Sequence, residues 1–512
     1  MARSMWKKLC QALGLASLIL AVNFGDLLAG GADVRMHTPF SLAPICYAQI
    51  ADIFLLALFI FVFLVLLERT RFYPRVRLLL IVVIPPYLML RSQSINSYQL
   101  VERLVFCFAI VWTGIVLLLV LRFDKWWQRL QCACSGLASA MVFFTLAAIA
   151  QLLWVATWKP APSQINAAWN QPADSALALQ PRQHPLLVWI VFDELSYDQL
   201  FEHRAQNLSL PNFDALRAQS TLYTNTQPIG YHTVVVLPSL LTGQVVDGFR
   251  YSFNNHLRVH HTSESGWHTL DGSHSVFGDA VQNGWRTATV GWYNPYCSIY
   301  GDAIQDCFWT NHDMIDSVMS ERASFAANVM RPLHQLVGEA ESPIRSDHDQ
   351  CSFEVRQRYQ TETDLQQHAV QLLHNDQADF VFLHLAIPHS PNLWSRVHND
   401  YTDHCGSSYI DNLALTDRVL GQLMATLEVS PRWSQTTLIV QGDHSWRTAL
   451  WNGLPAWTAE DNAASRDAFD PRPALLIHQP AQTQPQRIDS PWPILKVHSV
   501  VEQILHHQTP SF

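Results

Sequence analysis

The chain has 512 residues, of which 49% are hydrophobic and 15% charged, where an ordinary soluble protein carries about 25% charged residues. That composition excludes a disordered or low-complexity chain, and the crowding of apolar residues into the first third argues against a wholly soluble one. Residues 1–158 carry a charge balance of +7 and residues 159–512 one of −16, so the larger part is a poor partner for a nucleic-acid backbone.

Five apolar stretches precede residue 160, at 9–28, 45–67, 78–90, 104–121 and 137–158. A helix needs about 20 apolar residues to cross the hydrocarbon core, which the second, fourth and fifth supply. The third is short and carries Pro85-Pro86, so a kinked or partly re-entrant segment is expected. The first also fits a cleaved signal peptide, but the spans that follow directly favour a retained helix. Basic residues fall before the first stretch (Arg3, Lys7, Lys8), between the second and third (Arg69, Arg71, Arg75, Arg77) and between the fourth and fifth (Arg122, Lys125, Arg129). The positive-inside rule places these in the cytoplasm and everything after Trp158 outside. The expected domains are a five-span membrane part (1–158), a Pro/Ala/Gln-rich linker (159–184) and an extracytoplasmic domain (185–512). Asp26 and Asp52 lie near span ends, where an interfacial position is expected.

Nine cysteines agree with that orientation. Cys297, Cys307, Cys351 and Cys405 lie beyond the spans, where an oxidising compartment would pair them. Of the three possible pairings, Cys297–Cys307 with Cys351–Cys405 is preferred.

The outer domain opens with a continuous apolar run, LLVWIVF at 186–192, as expected for a strand buried on both faces of a parallel sheet. Similar runs recur at 285–292, 380–385 and 436–441, with a weaker one at 474–478. Helical patterns at 362–374 and 409–428 lie between them. The alternation predicts an α/β fold, a doubly wound, mainly parallel sheet whose ligands sit beyond the carboxyl ends of the strands.

Acidic and histidine residues stand at those ends. The first run ends in Asp193-Glu194, the third leads through His384 to His389, and the fourth into Gly442-Asp443-His444. Carboxylates and imidazoles brought to one edge suit an oxygen/nitrogen metal site. Thr233 precedes a short apolar stretch containing Pro238, so it is expected at a helix N-terminus, where the dipole favours an anion. By position alone the helix-cap reading is the stronger one. A histidine-rich stretch (His256, His260, His261, His268, His274) reads as a polar loop rather than a second metal site.

Together, strand–Asp193-Glu194, Thr233 ahead of Pro238-Ser239-Leu240-Leu241-Thr242-Gly243, PHSP at 388–391 and GDHSWR at 442–447 resemble the sulfatase-like branch of the alkaline phosphatase superfamily. The closest likeness is to membrane-anchored phosphoethanolamine and phosphoglycerol transferases of bacterial envelopes, including the lipoteichoic acid synthases. That resemblance implies an alkaline phosphatase/sulfatase-like fold in residues 185–512 and a place in the bacterial inner membrane with the catalytic domain in the periplasm. It implies one divalent metal, Zn2+ or Mn2+, held by Thr233, Asp443, His444 and a carboxylate of the Asp193-Glu194 pair. Thr233 would be the nucleophile, His389 would hold phosphate or protonate the leaving group, and Arg447 would bind substrate. Aligned on Leu241-Thr242-Gly243, the Cys-x-Pro-x-Arg motif of true sulfatases places its Cys on Thr233, its Pro on Val235 and its Arg on Leu237. A threonine cannot become formylglycine, so the resemblance favours phosphoryl chemistry. A phospho-headgroup would pass from a membrane phospholipid to an envelope glycan or lipid through a phospho-threonine. The alternatives are a hydrolase of phosphate or sulfate esters and a non-catalytic scaffold or sensor.

Overall fold

The computed structural model describes residues 2–21, 36–70, 72–91, 98–159, 163, 184–251, 256–312, 322–341, 343–466 and 469–510. The chain divides into two compact units, one of Met1–Gly31, Ser41–Lys159 and Ile315–Glu341, the other of Ala32–Phe40, Pro160–Met314 and Ser342–Phe512.

The first unit is helical. Its helices run Ala2–Leu20, Ala43–Leu67, Tyr73–Arg91, Tyr98–Arg122, Asp124–Ala140, Val142–Ala156 and Phe325–Glu341. Among the described residues, Ala43–Leu67 and Lys125–Ala156 are long and apolar enough to cross a membrane. Small residues let the first helix approach its neighbours, and Ser17 Oγ donates to Thr145 Oγ1 at 2.9 Å. Only Phe123 separates helix Tyr98–Arg122 from helix Asp124–Ala140, and Lys125 and Arg129, between the fourth and fifth apolar stretches, stand on the latter. Asp52 is buried along Ala43–Leu67, while Asp26 and most of the expected linker lie outside the described residues. The sequence gives no sign that Phe325–Glu341, far along the chain, belongs with the first unit.

The second unit is built on an eight-stranded sheet. In chain order its strands are β1 (Leu187–Asp193), β2 (Thr221–Tyr223), β3 (Thr287–Trp292), β4 (Asp306–Thr310), β5 (Phe380–Pro388), β6 (Thr437–Gly442), β7 (Leu475–His478) and β8 (Gln486–Ile488). Their order across the sheet is β8-β2-β7-β6-β1-β5-β3-β4. Central β1 runs parallel to β5 and β6, while β7 is antiparallel to both its neighbours. The five apolar runs therefore all become strands, and the sheet is mainly parallel.

Alternation along the strands sorts the core into two layers. Val188, Ile190 and Phe192 of β1, Val381, Leu383 and Leu385 of β5 and Leu438 and Val440 of β6 pack on one face with helices Pro343–Asn375 and Tyr409–Glu428. Leu187, Trp189, Val191, Phe380, Phe382 and Ile439 pack on the other with Thr233–Thr242, Val276–Gln282 and Lys496–Leu505. The same period assigns Asp193, His384 and Asp443 to this second face, where the Thr233 helix lies. That helix ends at Gly243, whose φ of 72° favours glycine and whose added Cβ would meet the His498 ring at 2.5 Å.

The histidine-rich stretch lies on and beside a three-stranded antiparallel sheet, Val246–Tyr251, Leu257–His261 and His268–Thr269. His260, His268 and His274 each pair with a carboxylate, of Asp247, Glu264 and Asp271. Both expected disulfides, Cys297–Cys307 and Cys351–Cys405, are formed.

Candidate active site

The register of the central strands assembles the site. Phe192 pairs with Gly442, so the residues that follow, Asp193 and Asp443, leave the sheet side by side. Thr233 opens its helix against the same edge, and its hydroxyl donates to Asp193 Oδ2 at 3.0 Å. His444 Nε2 lies 3.2 Å from Asp443 Oδ2 and 3.9 Å from Asp193 Oδ1. His384 Nε2 lies 3.5 Å from Asp193 Oδ2. Asp193, His384, Asp443 and His444 are fully buried.

Among the described residues, four atoms of this group have no hydrogen-bond partner: Asp193 Oδ1, Asp443 Oδ2, His444 Nε2 and His384 Nε2. Buried polar atoms are costly to leave unpaired, by about 1–3 kcal/mol each and more when charged. The rest of each group is pinned so that these atoms face inward. Asp443 Oδ1 accepts from the backbone N–H of Glu194 (3.1 Å) and of His444 (2.8 Å). His444 Nδ1 bonds the Ser445 carbonyl (3.0 Å), and His384 Nδ1 bonds the Trp292 carbonyl (2.9 Å), which leaves each Nε2 bare. Such outer bonds fix the tautomer of a ligating imidazole. Asp193, Asp443 and His444 offer ligand atoms within 4.8 Å of one another. The oxygen/nitrogen donors fit a divalent cation, which would satisfy the orphaned atoms.

Electrostatics agree. Burial acts to raise the Asp193 carboxyl, but the neighbouring His389, His384 and His444 imidazoles outweigh it and hold Asp193 below the usual range. Asp443 is raised, by burial first and then by Asp193. Two buried carboxylates side by side call for a positive charge between them.

Beyond this cluster lies a basic, aromatic corner. Arg447 Nη2 lies 3.0 Å from His389 Nε2, and Arg447 Nη1 donates to the Tyr231 carbonyl at 3.1 Å. The His389 Nδ1–H donates to the Ser390 carbonyl. Trp292 and Trp451 flank the imidazole edge-on, with ring centroids 5.1 and 5.0 Å away. Buried Arg358 lies over Trp292 and donates to the Ala386 carbonyl at 2.9 Å. Burial lowers the His389 pKa well below its ordinary value, against Asp193 and with the help of Arg358 and Arg447. His389 thus presents a lone pair toward Arg447.

Of the residues singled out in the sequence, Asp193, Thr233, Asp443 and His444 come together, and His389 and Arg447 pair beside them. Glu194 does not join the cluster, because its carboxylate accepts from Arg447 Nε and from Trp451 Nε1 at 2.9 and 3.0 Å. Arg358 and Trp451 are added by the structure, and His384, one of the strand-end imidazoles read from the sequence, lies beside Asp193. An imidazole inside the apolar run FVFLHLAIP was the available signal for His384, since a buried strand has no reason to carry one. Nothing local marks the other two.

The chain matches the sulfatase family over residues 185–470. Among solved structures, a protein of the alkaline phosphatase superfamily from Vibrio parahaemolyticus is 15% identical, with 64% of this chain and 67% of that chain covered and a TM-score of 0.36. The phosphonate monoester hydrolase of Agrobacterium radiobacter is 13% identical, with 64% and 74% covered and a TM-score of 0.35. The lipoteichoic acid synthase LtaP from Listeria monocytogenes is 13% identical, with 63% and 72% covered and a TM-score of 0.37. No curated protein matches the chain.

Proposed function

Because this chain belongs to the sulfatase family, within the alkaline phosphatase superfamily, we propose that it is a membrane-anchored transferase that moves a phospho-headgroup from a phospholipid to an envelope glycan or lipid through a phospho-threonine. The observation that carries this reading is the Thr233 hydroxyl, at a helix N-terminus and 3.0 Å from Asp193 Oδ2, beside the orphaned atoms of Asp443 and His444. A sulfatase nucleophile must pass through an aldehyde hydrate, which threonine cannot form. A phosphate ester of threonine needs no such step.

Asp193, Asp443, His444 and Thr233, with His384 beside them, would hold the divalent ion, zinc or manganese. When bound, it supplies a Lewis acid and lowers the pKa of an adjacent hydroxyl. Thr233 Oγ1 attacks phosphorus as the bond from phosphorus to the diacylglycerol oxygen breaks. The threonine proton, already shared with Asp193, ends on the diacylglycerol oxygen. The first-turn N–H groups of the Thr233 helix and the Arg447 guanidinium face the charge that develops on the phosphoryl oxygens. An acceptor hydroxyl then repeats the exchange and frees Thr233.

Topology supports a lipid donor. Residues 32–40 and 160–314 belong to the same unit: Asn311 Nδ2 donates to the His37 carbonyl at 3.1 Å, and Trp309 N to Ser163 Oγ at 3.4 Å. Both ends of the segment 41–159 therefore join the same unit. Among the described residues, Ala43–Leu67 and Lys125–Ala156 are long and apolar enough to cross a membrane, which favours a donor drawn from the bilayer. The disulfides suit the extracytoplasmic side.

Mass spectrometry of the Thr233 peptide, from protein purified out of its membrane, tests the reading. A headgroup-phosphate adduct on Thr233 that is absent from Thr233→Ala is the expected result. An unmodified Thr233 in fully metallated protein supplied with phospholipid, together with release of free product to water, would replace the transferase with a hydrolase.

A further inference from the structure

Glu194 follows Asp193 and is completely buried, yet its carboxylate points away from the cluster. Its backbone has a φ of 64°, a left-handed conformation that costs a non-glycine residue about 1–2 kcal/mol. Such strain persists only where the surroundings over-determine it. Here they do. The Glu194 N–H donates to Asp443 Oδ1 at 3.1 Å, and its carbonyl accepts from Tyr409 Oη at 2.7 Å. The left-handed turn sends the side chain to Arg447 Nε and Trp451 Nε1, which occupy both carboxylate oxygens. A carboxylate already accepting from an arginine and an indole is poorly placed to serve as a metal ligand as well.

Arg447 is anchored from three directions: by Glu194 at Nε, by the Tyr231 carbonyl at Nη1 and by His389 at Nη2. Tyr231 is two residues from the nucleophile, so the guanidinium is tied to the approach to Thr233. An arginine has five N–H groups. Among the described residues three of these have partners, which leaves one on each Nη free for an anion.

We propose that Glu194 is a positioning residue: it clamps Arg447 and Trp451 so that the guanidinium presents two N–H groups to the phosphate of the incoming headgroup. The inference rests on the transferase reading and gives its substrate site an anion-binding wall. Trp451, held by the same carboxylate and packed edge-on to His389, closes the wall. An amide at position 194 would turn an N–H toward donors and release the clamp.

The test uses the full-length, metal-loaded protein carrying Glu194→Gln, with Trp451→Phe as a second variant that removes the indole donor and keeps the carboxylate. Metal content is read by mass spectrometry, inorganic phosphate binding by calorimetry, and KM and kcat with a phospholipid donor. Both variants should keep wild-type metal stoichiometry. Glu194→Gln should weaken phosphate binding and raise KM by about tenfold, the scale of one charge-assisted hydrogen bond, with a smaller change in kcat. It should add nothing to Arg447→Ala when the two are combined. Loss of metal from Glu194→Gln would make Glu194 a ligand and overturn the proposal, and so would unchanged phosphate affinity and KM in both variants. Phosphate affinity and metal content stand without any transfer activity, so failure of the transferase reading would be seen separately.

Discussion

Glu362 offers a quantitative test of the interior behind the site. It sits on helix Pro343–Asn375 and is wholly buried. One carboxylate oxygen accepts from Gln366 Nε2 at 3.0 Å, and the other has no hydrogen-bond partner among the described residues. Burial pushes its pKa from 4.5 up to about 7, against the hydrogen bond from Gln366 and the charge of Arg358. A carboxyl raised on folding contributes stability that is fully present below its unfolded pKa and is lost as pH rises through its folded one. One pKa unit is 1.36 kcal/mol, so the native protein should lose roughly 3 kcal/mol from this group between pH 4.5 and pH 7. Glu362→Gln keeps the acceptor for Gln366 and stays neutral at every pH. It should match the wild type at pH 4 and exceed it by up to roughly 3 kcal/mol at pH 8. Thermal melting of both proteins in detergent, stepped from pH 4 to pH 8, reads the difference. A variant that is no more stable at pH 8, or whose advantage does not grow between pH 4.5 and pH 7, would refute the reasoning.

Asp443→Asn should act in opposite senses with and without metal. Metal affinity should fall by more than the roughly 10–100-fold that an outer partner of a ligand costs. Metal-free protein should melt higher, because the repulsion between Asp443 and Asp193 is gone; equal melting of both metal-free forms would count against the side-by-side carboxylates. The Cys351–Cys405 bridge spans 54 residues, and loop closure on that scale is worth about 4 kcal/mol. Cys351→Ser with Cys405→Ser should therefore melt several degrees lower and lose its response to reductant, whereas a melting point unchanged from the wild type would deny the bridge a structural role.

Much of the sheet was legible because its strands are buried on both faces and stand out as unbroken apolar runs. Where a strand is short the pattern fades: Thr221–Tyr223 and Gln486–Ile488 are three residues each and carry no run at all. The helix expected at 362–374 extends back to Pro343, since its first turns are polar and break the apolar period that reveals a helix. Phe325–Glu341 joins the first unit through contacts that no local pattern records. The site divides along the same line. Asp193 and Asp443 could be placed because each ends a recognisable strand. Glu194 could not, because its role depends on a left-handed backbone that reverses the direction the strand period assigns to its side chain.

The period-2 rule carries the site further than the motifs alone. Asp193 shares parity with Leu187, Trp189 and Val191, His384 with Phe380 and Phe382, and Asp443 with Ile439, and those apolar residues form one core layer. Val236, Leu237, Leu240 and Leu241 bury the Thr233 helix in that same layer. The packing that stabilises the helix thus also fixes the distance from the Thr233 hydroxyl to Asp193, and no loop has to be ordered to bring them together. His389 and Arg447 stand on loops beyond β5 and β6 and depend on Arg358 and Glu194 to hold them. The proposed nucleophile and metal ligands are therefore set by the core, whereas the proposed substrate wall is set by a buried polar network. Substitutions in that network should weaken the binding of inorganic phosphate, read by calorimetry, before they disturb the pairing of Thr233 with Asp193.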